Sequence, residues 1–169
     1  LGNFGDGGRP VRAELIRAFV LVKQACALTH GELGALPRDI ADAIAGACDE
    51  VLAGRHADAF GVDALQGGAG TSTNMNVNEV LANLAIVRLG GKPGDYGRVH
   101  PLDHVNRGQS TNDVYPTALR IAAIDLVREL ADALAKLQEA LQKREQAFAG
   151  MAKLGRTQLM DAAPITLGQ

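Results

Sequence analysis

The stretch after position 113 constrains the fold more than any other part of the chain. Ala123, Val127, Leu130, Leu134, Leu137, Leu141 and Phe148 recur on a four-three spacing, the heptad-like seam of a long bundle helix or coiled coil. At about 1.5 Å of rise per residue, that helix spans about 50 Å. Three short helices upstream cannot cover such a seam. It requires further helices or other subunits. The predicted fold class is therefore all-α, a helical domain leading into the first long helix of a central helical bundle.

Upstream, Arg9-Pro10 predicts a helix start, with Pro10 near the first helical position. Leu15, Ile16, Phe19, Val20, Lys23 and Ala27 form one face of that helix, which ends near His30-Gly31. Pro37 opens a second helix with Ile40, Ile44, Ala47, Cys48, Val51 and Leu52 on its stripe, stopped by Gly54. A third begins at Asn76-Val77-Asn78 and runs to Leu89 before Gly90-Gly91. Residues 91–112 show no periodicity and read as an ordered loop. The fourth helix starts after Asn112-Asp113, with Asp113 as cap and Pro116 tolerated in the first turn, and reaches about Phe148. This divides the chain into a helical domain, 1–112, and the beginning of a bundle domain, 113–169. The opening Leu1-Gly2-Asn3-Phe4 and the closing Ile165-Thr166-Leu167-Gly168-Gln169 read as the interior of a longer sequence, so a fragment is expected.

With 169 residues, 47% hydrophobic but 4% aromatic and without Trp, the core must be aliphatic and alanine-rich, which favours helix. A net charge of −2 provides no basic footprint for nucleic acid or for an anionic membrane. No signal peptide or apolar run of spanning length is seen. Cys26 and Cys48 lie in predicted helices among apolar neighbours and read as buried reduced thiols, in keeping with a cytoplasmic setting. Of the four histidines, His30, His56, His100 and His104, the last two are four apart but flank Pro101 in a loop. No metal site and no cofactor are expected.

Three runs carry small polar residues instead of bulk. They are Gln66-Gly67-Gly68-Ala69-Gly70-Thr71-Ser72-Thr73-Asn74-Met75-Asn76, Gln109-Ser110-Thr111-Asn112-Asp113 and Gly155-Arg156-Thr157-Gln158. Neutral hydroxyls and amides donate to an oxyanion without carrying charge, and glycine lets backbone approach a ligand. The first run lacks the lysine of a phosphate-binding loop and the spacing of a dinucleotide fingerprint. Turn and cap chemistry would explain part of each run. Four consecutive uncharged donors at 109–112 exceed what a cap needs. A site for a small polyanion, a carboxylate, is the functional reading.

In order and spacing the three runs resemble conserved segments of the fumarase/aspartase superfamily, over nearly the whole chain. Gly67-Gly68-Ala69-Gly70-Thr71-Ser72, Ser110-Thr111-Asn112 and Gln158 are closer to the wording of aspartate ammonia-lyases than of fumarases, which tend to carry histidine at the last position. The resemblance implies reversible anti elimination of ammonia from L-aspartate to fumarate through an aci-carboxylate. It implies substrate contacts from Thr71, Ser110, Thr111, Asn112, Thr157 and Gln158. It also implies a homotetramer with active sites shared between subunits. The family's base is a serine on a downstream loop whose motif does not occur in these 169 residues, so no catalytic base is assigned and the piece alone is expected to be inactive. Leu102 stands where a second anion site of fumarases would need asparagine, and no such site is assigned. Fumarase, or a non-catalytic helical module that associates with full-length subunits, are the alternatives.

Overall fold

Where aliphatic residues recur at three and four, the chain forms helices. The computed structural model describes residues 8–66 and 68–169; Leu1-Gly2-Asn3-Phe4 and Gly67 lie outside the described residues. Helix α1 spans Ala13–Glu32, α2 Arg38–Leu52, α3 Thr71–Arg88 and α4 Thr111–Phe148. A 3-10 turn at Ala57–Ala59 and a π-helical turn at Pro101–Val105 punctuate the connections, and two strands follow, β1 Ala152–Thr157 and β2 Met160–Thr166. The protein is mostly helical, as the seam and composition predict.

Two compact units divide at Ala123/Ile124. In the first, α1 packs on α2, α2 on α3, and α3 on the π-helical turn. Its core is aliphatic: Ile16, Phe19 and Val20 of α1, Ile44, Ala47 and Cys48 of α2, and Val77, Leu81, Ala85 and Ile86 of α3 are buried. Val114, Ala118 and Ala122 from the start of α4 belong to the same core. Cys48 is buried as expected, whereas Cys26 is only half-buried; both are free.

Helix starts depart from the sequence reading for identifiable reasons. Pro10 does not open α1. It forms a β-bridge with Asp63, and the flanking backbone is held by Arg9 N–H on Asp63 Oδ2 at 3.3 Å and Ala64 N–H on Arg9 O at 2.7 Å. Helix α3 starts at Thr71, five residues before Asn76. Gly70 supplies the entry turn at φ +88°, and Gln66 Oε1 accepts the first-turn N–H of Thr73 at 3.1 Å. Asp113 does not cap α4. Ser110 does, its Oγ accepting the Asn112 N–H at 3.2 Å and its carbonyl those of Asp113 and Val114 at 3.1 and 3.0 Å. Pro116 therefore falls inside α4 and not in its first turn.

In the second unit, α4 continues from Ile124 to Phe148 with its seam bare: Leu130, Leu134, Leu137 and Leu141 are 56%, 54%, 54% and 60% exposed. The segment after it, expected as a loop, is an antiparallel hairpin, β1 on β2, with Thr157 opposite Met160. Gly168 N–H donates to Phe148 O at 3.2 Å and Leu167 N–H to Met151 O at 2.8 Å, tying the hairpin to the helix end. Its strands are mostly exposed, so no inward-outward alternation marked them, and their Gln-Leu turn lacks the usual Asn-Gly signal.

Candidate active site

Gly70 is the entry residue of α3, and Thr111 and Asn112 are the first two residues of α4. Both helix starts open on one cleft of 410 Å³ lined by Gly68, Ala69, Gly70, Thr111, Asn112, Tyr115 and Pro116. None of these side chains is charged. The first N–H groups of a helix have no intrahelical acceptor, and the dipole makes such an end weakly positive. Two helix N-termini facing one cleft favour an anion there.

The cleft wall requires glycine at position 70. A Cβ there would overlap the ring of Tyr115, and its φ of +88° suits no bulky residue. The Tyr115 ring is fixed from behind by an edge-to-face contact with Phe19, centroids 5.5 Å apart at 70°. Pro116 has no N–H for the Asn112 carbonyl, so the helical ladder is open at that point of the wall.

Of the residues nominated from sequence, Ser110, Thr111 and Asn112 sit together at the α4 start, and Thr71 begins α3 beside Gly70. Thr71, Ser110 and Asn112 are exposed and Thr111 is half-buried. Thr111 Oγ1 accepts a hydrogen bond from Asn74 Nδ2 at 2.9 Å. With that lone pair occupied, the hydroxyl proton is free to point outward as a donor. Ser110 spends its oxygen partly on capping. Thr157 and Gln158 belong to the second unit, at the end of β1 and in the hairpin turn. Gln158 and Leu159 both have left-handed backbone, φ +48° and +62°, and both are exposed.

Beneath the Thr111 segment lies a polar cluster that the sequence reading did not nominate. Lys23 is fully buried in the α1 face. Its Nζ donates to Asn106 Oδ1 at 2.8 Å and to Gln109 Oε1 at 2.9 Å. Asn106 Oδ1 also accepts from Asn74 Nδ2 and Asn78 Nδ2, each at 3.2 Å. Burial draws the Lys23 ammonium down to about 8, opposed in part by the Cys26 and Cys48 thiols. Burial likewise pushes the Cys26 thiol up and that of Cys48 up to about 12. A lysine on an otherwise apolar stripe was the readable signal, and Asn106 and Gln109 lay within or beside the second donor-rich run.

His100 and His104 are engaged with local backbone: His100 Nδ1 accepts from Leu102 and Asp103 N–H at 3.2 Å, and His104 Nδ1 from His100 N–H at 2.7 Å. Among the described residues, no group of three or more His, Cys, Asp or Glu is arranged to hold a metal, and no helix is long and apolar enough to cross a membrane.

Comparison with known proteins fits this geometry. A family model described as lyase matches residues 8–169. The chain is 51% identical to fumarate hydratase class II of Nitrosomonas europaea over 170 aligned positions, covering 100% of this chain and 37% of that protein. It is 50% identical to aspartate ammonia-lyase of Escherichia coli K12 over 157 positions, covering 92% of this chain and 33% of that protein. The solved structure of recombinant class II fumarase from Schistosoma mansoni superposes with a TM-score of 0.88 at 36% identity, over 99% of this chain and 36% of that one. The chain thus spans about a third of the length of the curated relatives it matches. With a matching lyase model over almost its entire length and close relatives on both branches, the chain belongs to the lyase family, within the fumarase/aspartase superfamily.

Proposed function

We propose that the complete protein releases fumarate from a four-carbon dicarboxylate, with L-aspartate as substrate and ammonia as leaving group. The observation that carries the reading is the uncharged cleft at the joint N-termini of α3 and α4, with a threonine hydroxyl held ready to donate. Removing a Cβ proton places extra negative charge on the adjacent carboxylate as an aci-carboxylate. Fixed neutral donors stabilise that charge without reorganising during the step. Thr71, Ser110, Thr111 and Asn112 supply such donors here, and Thr157 and Gln158 complete the set. The base is the serine of the family's downstream loop. Residues 1–112 then serve as the N-terminal domain and 113–169 as the start of the central bundle of a cytoplasmic homotetramer.

L-Aspartate is preferred over L-malate because of Gln158. Glutamine exchanges hydrogen bonds but does not titrate. Ammonia leaves from a substrate that is already protonated, whereas hydroxide needs a proton delivered. Fumarase is the second reading, and the 51% identity to a fumarate hydratase favours it. The test is the ultraviolet absorbance of fumarate formed by the complete protein from L-aspartate and L-malate in parallel. Turnover of L-aspartate with little of L-malate supports deamination, and Gln158→His should retain part of it. Efficient dehydration of L-malate with none of L-aspartate assigns fumarase instead.

A further inference from the structure

We propose that Lys23 is a positioning residue for this site: its buried ammonium clamps Asn106 and Gln109 onto α1, so that Asn74 holds the Thr111 hydroxyl toward the cleft. The inference rests on the reading that Thr111 donates to the substrate carboxylate. The contacts make a continuous chain. Lys23 Nζ reaches Asn106 Oδ1 at 2.8 Å and Gln109 Oε1 at 2.9 Å. Asn74 Nδ2 lies between that same Asn106 oxygen, at 3.2 Å, and Thr111 Oγ1, at 2.9 Å. Asn106 Nδ2 returns to the Gln109 carbonyl at 2.9 Å, and Gln109 Nε2 to the Val105 carbonyl at 2.9 Å. One acceptor oxygen thereby ties a lysine of α1, two asparagines of α3 and the segment leading into α4.

Stability does not explain the lysine. Its two hydrogen-bond acceptors are neutral amide oxygens, so no ion pair offsets the desolvation of the ammonium. Burial depresses its proton affinity accordingly. An apolar residue would complete the α1 face at lower desolvation cost. An ammonium, unlike a methyl group, reaches two acceptors at once and fixes the angle between them. The position of the Asn106–Gln109 segment decides where Thr111 begins α4. Small misplacement of a donor in a preorganised site costs rate far out of proportion to its effect on fold.

The test is a double-mutant cycle in the complete enzyme with Lys23→Met and Thr111→Ala, read as kcat and KM for L-aspartate alongside circular dichroism. If Lys23 acts through Thr111, Lys23→Met lowers kcat/KM by at least about tenfold, chiefly in kcat, and the double variant falls within about threefold of Thr111→Ala alone. A folded Lys23→Met within about threefold of wild type, or a double variant at the product of the two single losses, overturns the proposal. Should Lys23→Met fail to fold, Asn74→Ala, which cuts the link to Thr111 and leaves Lys23 its partners, is put through the same cycle and judged by the same outcomes. Amide hydrogen exchange across residues 106–112 separates the two readings. If Thr111→Ala leaves turnover unchanged, the substrate-site reading fails; exchange in 106–112 accelerated at least about tenfold in the Lys23→Met or Asn74→Ala variant still supports the clamp, and unchanged exchange removes it.

Discussion

Thr111 uses one oxygen for two purposes. It accepts from Asn74 inside the protein and offers its proton outside. A threonine serving only as a helix start would need neither. We predict that Thr111→Ala in the complete enzyme leaves circular dichroism unchanged and lowers turnover by about 10²–10³, the usual cost of one preorganised donor. A loss under about threefold would make Thr111 a structural residue. Lys23 allows a second prediction at this scale. Its folded pKa, about 8, lies below the unfolded value, so between about pH 8 and 10.5 the unfolded chain binds more protons than the folded one. The Lys23 contribution therefore improves as pH rises through that window and is unfavourable below it, by a term on the order of 3 kcal/mol. The raised thiols of Cys26 and Cys48 act in the opposite direction at the alkaline end, but they cancel in a comparison with Lys23→Met. The stability of the wild type relative to Lys23→Met, from denaturant unfolding, should rise between pH 8 and 10. A flat difference would mean that the ammonium is not desolvated.

At the scale of elements, the hairpin turn is the informative one. Two successive non-glycine residues at positive φ each cost about 1–2 kcal/mol, while a glycine in their place costs about 0.5–1 kcal/mol in chain entropy. Strain outweighs entropy, so Leu159→Gly should raise the unfolding midpoint slightly and Leu159→Val should lower it. If Leu159→Gly instead destabilises by more than about 1 kcal/mol, this fully exposed leucine packs against a partner in the assembled protein. The helices were legible because Ile44, Ala47 and Cys48, or Leu81, Ala85 and Ile86, place apolar mass on one face, and Gly54 and Gly90 mark where it stops. Helix starts were less legible, because they depend on contacts distant in sequence: Asp63 holds Arg9, and Gln66 reaches Thr73. The donor clusters were visible as composition. The lysine beneath them was visible only as a charged residue on an apolar stripe, and its partners lie more than eighty residues away. The hairpin gave no alternation to read because neither of its faces is buried.

At the scale of the whole molecule, the unanswered surface is the α4 seam. Leu130, Leu134, Leu137 and Leu141 are each more than half exposed, and burying a leucine contributes roughly 1.5–3 kcal/mol. A stripe of this kind is an association surface, which fits the proposed tetramer. Placing a charge in the middle of such an interface reverses the sign of that contribution, since an unpaired buried carboxylate costs several kcal/mol. We predict that Leu134→Glu combined with Leu137→Glu reduces the complete protein to a smaller species in sedimentation velocity. Turnover should fall in the same preparation, because sites shared between subunits do not survive dissociation. Helix α4 itself should persist, since the replaced side chains do not belong to the core of either end of the chain and glutamate is a good helix former. A variant that sediments like the wild type and keeps its turnover would show that the seam is covered by neither a second subunit nor anything the reaction needs.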